Sequence, residues 1–243
     1  MMACRPAKGG DAAAGAVLVH PLAKNTDIWG NVVRQEETDI IVIGGGSAAF
    51  DAAVAAKKAG AGRIVMLEKA PEIEYGGNAR YSGTGFRFWH GGLDEIRGFL
   101  PDIDKDYLKS LHIPAYSRDD FLADLNRMTS GRMDPDLART LVDESNHAVH
   151  WMQDVGIKWE ILKEHANIDG KRYFERGIAI HVAGGGRGQL EQWRAIAEGL
   201  GIEIRFDSPV SGVLGNMHRI EGVRVAPAGG EYELRARAVI ACA

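Results

Sequence analysis

Long apolar runs, cysteine and a surplus of either charge are all scarce in this chain of 243 residues. No run of about eighteen apolar residues occurs, so no segment reads as a membrane span. The two cysteines, Cys4 and Cys242, lie at opposite ends without a CxxC or metal-ligand spacing. That excludes a disulfide framework and a zinc site, and it leads us to expect a reducing, cytoplasmic setting. A formal net charge of −4 gives no basic footprint for nucleic acid. Internal repeats and low-complexity segments are absent as well. What remains, with 45% hydrophobic residues, is enough apolar material for one substantial core.

The most informative segment is Asp39-Ile-Ile-Val-Ile-Gly-Gly-Gly-Ser-Ala-Ala-Phe. Ile40 to Ile43 read as a buried parallel strand, Gly44 and Gly46 permit a tight turn and close backbone approach, and Ala49 takes the third small position. Ser47 to Ala59 is helix-forming and Gly60 is a stop, so the helix N-terminus points at the turn, where a pyrophosphate would sit. Arg63 to Leu67 reads as the second strand. Glu68 then falls about twenty residues past the glycines, where a carboxylate accepts hydrogen bonds from a ribose diol. Strand, turn, helix, strand and acid in this order make a dinucleotide-binding fingerprint. A rival reading takes Gly45 to Ala49 as a nucleophile elbow with Ser47 exposed on a strained turn. It gives Glu68 no role, and it places the elbow before the strands that would build a sheet.

Beyond Glu68 and Lys69 lies a loop dense in glycine and small polar residues. Gly76, Gly77, Gly83 and Gly85 remove side chains where a ring must approach, while Asn78, Ser82 and Thr84 offer hydrogen bonds. Here the chain resembles the flavoprotein-subunit family of fumarate reductases and succinate dehydrogenases, and within it the soluble FAD-dependent tricarballylate dehydrogenases. The resemblance is carried by Gly44-Gly-Gly-Ser-Ala-Ala, Leu67-Glu-Lys and Gly77-Asn-Ala-Arg-Tyr-Ser-Gly, and it extends diffusely from about Glu37 to the end. It implies FAD as cofactor, held by Gly44, Gly45, Gly46, Ser47, Ala48, Ala49, Glu68, Lys69, Gly77, Asn78, Ala79, Ser82, Gly83, Thr84, Gly85, Val210 and Ala241. Covalent members carry a histidine where this chain has Asn78, so the attachment is expected to be non-covalent.

The resemblance further implies a hydride transfer between flavin N5 and a small di- or tricarboxylate such as tricarballylate, fumarate or succinate, with an unidentified electron donor or acceptor. Related flavin dehydrogenases act on a ketosteroid or an amino acid. Arg80, Arg87 and His181 are candidate substrate contacts, the arginines because a guanidinium fork matches a carboxylate. The catalytic residues and a capping domain are expected beyond residue 243. The chain alone therefore reads as the N-terminal portion of an enzyme, inactive or nearly so, and an inactive FAD-binding module is the alternative.

The expected fold is α/β: a Rossmann-like FAD-binding domain over residues 37–243, incomplete at its C-terminus. Its parts are a central parallel sheet, a helical insert over about 103–170 and a β-meander. Residues 1–36 read as a flexible extension that includes an apolar patch at residues 12–19. Helical spacing appears at Phe121, Leu122, Leu125 and Met128, and again at Leu137, Leu141 and Val142. Gln189 to Leu200 reads as a helix. The tail reads as strands at Ile202 to Phe206, Pro209 to Leu214, Arg219 to Val225 and Glu231 to Arg237, then a separate buried strand from Ala238 to Cys242. Pro101-Asp-Ile-Asp-Lys-Asp lacks the glycine and glutamate of a calcium loop and reads as a solvated turn. His147 and His150 have a helical spacing that can share a metal, but no third ligand accompanies them.

Overall fold

The computed structural model describes residues 34–242. Cys4, the apolar patch at residues 12–19 and almost all of the expected extension lie outside the described residues, as does Ala243.

The described residues open with β1 (Arg34–Ile43), α1 (Ser47–Lys58) and β2 (Ile64–Leu67), followed by a 3-10 turn at Gly77–Tyr81 and the short α2 (Leu93–Ile96). Its middle holds α3 (Lys105–Ser110), β3 (Leu111–His112), α4 (Arg118–Met128) and α5 (Pro135–Asp154). The short strands β4 (Trp159–Ile161), β5 (Ala166–Ile168), β6 (Lys171–Tyr173) and β7 (Ile180–Val182) come next. α6 (Gly185–Gly199), β8 (Glu203–Arg205), β9 (Val210–Asn216), β10 (Arg219–Val225) and β11 (Tyr232–Ala241) follow.

Six strands form one sheet in the order β8-β2-β1-β11-β10-β9. The first four run parallel, and β10 and β9 fold back antiparallel as the meander. Ile64 to Leu67 are all buried, as a parallel strand covered on both faces requires. Val42, Ile64 and Met66 point toward α1 and α6, where they join Phe50, Val54 and Trp193 in the main core. Ile41, Val65 and Leu67 point to the other face, against Val223, Val225, Tyr232 and Leu234 of the meander. The α/β architecture with a central parallel sheet, helices and a meander is thus as expected.

Several details differ. β1 begins at Arg34, and its polar first half exists because it pairs in register with β11 from Tyr232 onward. For the same reason Glu231 to Arg237 and Ala238 to Cys242 are one continuous strand, β11, rather than two. Its end is not fully buried: Ala238 and Ala241 are exposed and Val239 and Ile240 half-buried. α6 starts at Gly185, four residues before the expected Gln189. On α5 the buried stripe is Ala138, Val142, Asn146, Val149 and Met152, while Leu137 and Leu141 are exposed. The aspartates near residue 102 do more than solvate a turn, since Asp104 caps α3 by accepting from the N–H groups of Asp106 and Tyr107. His147 and His150 turn to different partners, Glu144 at 3.6 Å and Glu95 at 3.0 Å.

Candidate functional site

The carboxyl ends of β1, β2 and β11 meet at a groove of about 580 Å³. Its floor is the turn between β1 and α1. Gly44 takes φ 118° and donates its N–H to Leu67 O at 2.8 Å, which folds the chain back over β2. Gly46 is the N-cap of α1. It offers no side-chain cap, and no acidic residue stands in the first turn. A helix start built this way leaves its N–H groups and the positive end of its dipole for an anion.

Glu68 is fixed from both sides. Its N–H donates to Arg205 O and its carbonyl accepts from Ser208 N, both at 2.9 Å, so β8 and the loop after it set its height. The buried carboxylate uses Oε1 to accept the Ala70 N–H at 2.8 Å. Oε2 lies against the turn: a Cβ on Gly45 would stand 2.6 Å from it. Glycine at 45 is therefore a requirement of the acid as well as of any ligand. Gly46 differs, because a Cβ there would meet only Gly76 O at 3.5 Å, an ordinary contact. Among the described residues nothing forbids a side chain at 46, so its bareness faces the groove.

The opposite wall is the 3-10 turn with Gly76, Gly77, Asn78 and Ala79. Gly76 holds φ 109°, and a side chain there would run into Leu190 of α6. α6 in turn approaches so closely that a Cβ on Gly186 would strike Ala79 O and lie 2.7 Å from Arg80 O. The second glycine-rich segment thus serves to seat α6 beneath this wall. Among the described residues Lys69 is the one basic side chain lining the groove, so backbone N–H groups and the helix dipole must meet most of a ligand's negative charge. Behind the turn, burial pushes the Asp51 carboxyl up to about 6. The Cys242 thiol, which lines the groove, is pushed up by its own burial and then by the charge of Asp51.

Of the residues expected to hold cofactor, Gly44, Gly45, Gly46, Ser47, Ala48, Glu68, Lys69, Gly77, Asn78, Ala79 and Val210 line this groove. Ala49 does not: it is fully buried on the inner face of α1, where it packs in the core. Ser82, Gly83, Thr84, Gly85 and Ala241 lie outside it. Ser82, Gly83 and Gly85 are exposed, and Ala241 pairs with Ile43 across β1 and β11. Thr84 is 4% exposed and adopts φ 52°; its hydroxyl donates to Val182 O, so its side chain faces inward. Sequence reasoning missed Ile43, Leu67, Ser208, Pro209 and Cys242 as lining residues. Ser208 and Pro209 stand next to Val210, and Cys242 ends β11 beside the turn, so topology was the missing signal.

The three candidate substrate contacts lie elsewhere. Arg80 donates to Ile73 O at 2.6 Å and Tyr75 O at 3.3 Å, bracing its own loop. Arg87 donates to Arg176 O at 2.5 Å and pairs with Glu175 at 2.9 Å. His181 sits beside Gly85 on β7, 3.7 Å from Glu160. No histidine lines the groove, so Ser47 has no imidazole base there among the described residues. A larger, mainly apolar cleft of about 730 Å³ lies between Phe99 to Ile103 and Gly156 to Ile161, and it contains none of the fingerprint residues.

Comparison with known proteins agrees with this geometry. The chain is 28% identical over 220 residues to a probable fumarate reductase of Shewanella frigidimarina, covering 84% of this chain and 32% of that protein. It is also 28% identical over 222 residues to a digoxin reductase of Eggerthella lenta, covering 85% of this chain and 36% of the relative. The open conformation of a flavocytochrome c3 fumarate reductase superposes with a TM-score of 0.63 at 25% identity, over 85% of this chain and 33% of that one. The chain spans about a third of the length of these relatives. The FAD binding domain family matches residues 39–243, and the chain belongs to that family.

Proposed function

We propose that this chain is the dinucleotide-holding part of a flavin-dependent oxidoreductase that moves a hydride between non-covalent FAD and a small di- or tricarboxylate such as fumarate, succinate or tricarballylate. The observation that carries the reading is the cradle formed by the uncapped α1, Gly45 and the inward-leaning Glu68. FAD, when bound, supplies the hydride chemistry. The α1 N–H groups receive the pyrophosphate, and Glu68 Oε2 accepts from the adenosine ribose. Val210, at the start of β9, offers its backbone to the adenine, and the wall from Gly76 to Ala79 guides the remainder toward Ser82 and Gly85. Asn78 cannot form the histidine-type link to a flavin, which is why the attachment is non-covalent.

The test is FAD titration of the purified chain together with its Glu68→Gln variant, which keeps an acceptor for Ala70 N but loses the second anionic acceptor. Weakened binding in the variant supports the assignment, and equal binding in both refutes the role of Glu68. The 28% identity to a digoxin reductase favours a second reading, in which the substrate is a steroid such as digoxin. Turnover by the full-length protein with fumarate and with digoxin separates the two.

A further inference from the structure

His90 is 3% exposed, and among the described residues its ring makes one hydrogen bond: Nδ1 accepts the Gly92 N–H at 3.2 Å. A neutral imidazole that accepts at Nδ1 carries its proton at Nε2. Burial holds the ring below its ordinary pKa of 6.5, against the opposing pull of Glu95, so the neutral form prevails near pH 7. Nε2 is itself fully buried and meets no acceptor among the described residues. A buried N–H left without a partner is a costly arrangement, and in folded proteins such groups are almost always satisfied.

His90 lines a small cavity of about 50 Å³, together with His112, Ala115, Tyr116, Glu175 and Gly177. Three segments close around it. His90 and Tyr116 exchange backbone hydrogen bonds at 2.9 Å in both directions. Gly177 takes φ 71°, and a side chain there would strike the Tyr116 ring, so the third segment is packed against the second. The charges at the rim are spoken for: Glu175 pairs with Arg87 at 2.9 Å, and Arg176 with Asp120 at 2.7 Å. The space is too small for an organic ligand, and it holds no uncompensated charge to attract an ion. It exceeds the roughly 10–15 Å³ that one water requires.

We propose that the cavity beside His90 is a binding site for internal water, which accepts from Nε2–H and bridges the segments around Ala115 and Glu175. The water joins the strand-like stretch before α2 to the loops before α4 and β7, and so ties the helical insert to the rest of the domain. The site is independent of the flavin groove.

The experiment is NMR on the 15N-labelled full chain. Long-range 1H–15N correlations are expected to show His90 protonated at Nε2 only, with a cross-relaxation peak from that proton to a long-lived water. The peak disappears in His90→Phe; should that variant fail to fold, His90→Gln provides the assignment, and the water peak is still read on the unmodified protein. Xenon, which enters dry apolar cavities, is expected to leave the Ala115 and Ala179 methyl signals unmoved. Protonation at Nδ1, absence of the water peak, or a xenon-dependent shift of those methyls each overturns the proposal.

Discussion

Replacing Asp51 with asparagine is expected to stabilise the ligand-free protein at neutral pH and to remove a pH dependence. Asp51 lies on α1, one turn in from the dinucleotide turn, and its Oδ1 is buried without a partner among the described residues. Burial raises its carboxyl from the ordinary 3.8 to about 6. The folded protein therefore binds this proton more tightly than the unfolded chain does. Stability is complete below about 3.8, declines as pH rises toward 6 and is flat above. At about 1.4 kcal/mol per pKa unit, the charged carboxylate costs about 3 kcal/mol at pH 7.5. An asparagine side chain has a similar shape and helix propensity but never ionises. In urea unfolding the Asp51→Asn variant should thus exceed the parent by up to about 3 kcal/mol at pH 7.5 and match it near pH 4. Other carboxylates contribute equally to both proteins and cancel. Because the charge of Asp51 also raises the Cys242 thiol, the variant should react faster with a thiol reagent at pH 8. Parallel stability curves across this range would refute the assignment of a desolvated carboxyl at Asp51.

Substitutions at two neighbouring glycines should impair FAD binding for different reasons. Gly45→Ala pushes its methyl into the Glu68 carboxylate and should weaken FAD at least about tenfold, or about 1.4 kcal/mol, in a flavin-fluorescence titration. Gly46→Ala meets only an ordinary contact, so it should leave ligand-free unfolding within about 1 kcal/mol of the parent and still impair FAD binding. Trp193→Ala opens a void between α6 and the sheet at a fully buried residue and should cost about 3–5 kcal/mol in denaturant unfolding. Arg87→Ala should cost about 1 kcal/mol by loss of its ties to Glu175 and Arg176 O, with FAD affinity unchanged.

The β1-α1-β2 unit was legible because every signal in it is local: an apolar run, glycines at a turn, a helix former and an acid. Much of the groove followed from those same residues. The sequence concealed what depends on pairing across the sheet. Arg34 to Asp39 carry no strand-like alternation, yet they belong to β1 because Arg34 to Thr38 pair in register with Tyr232 to Ala236 of β11. β3 to β7 span two or three residues each, too few to leave a period. On α5 the apolar Leu137 and Leu141 suggested the wrong face, since the true seam runs through Ala138 and the polar Asn146, which donates to Trp89 O and Glu95. Arg80 and Arg87 looked available for a carboxylate substrate because the carbonyls they bind, at Ile73, Tyr75 and Arg176, leave no trace in the sequence.

On the proposed reading, Gly44 to Ala48 and Glu68 hold FAD without a covalent bond. The most direct measurement is the flavin content of the purified chain after saturation with FAD, followed by denaturation and filtration. We expect about one FAD per chain with oxidised-flavin absorption bands, all of it passing through the filter once the protein is unfolded. A chain that binds no FAD, or flavin that stays with the unfolded protein, would contradict the account.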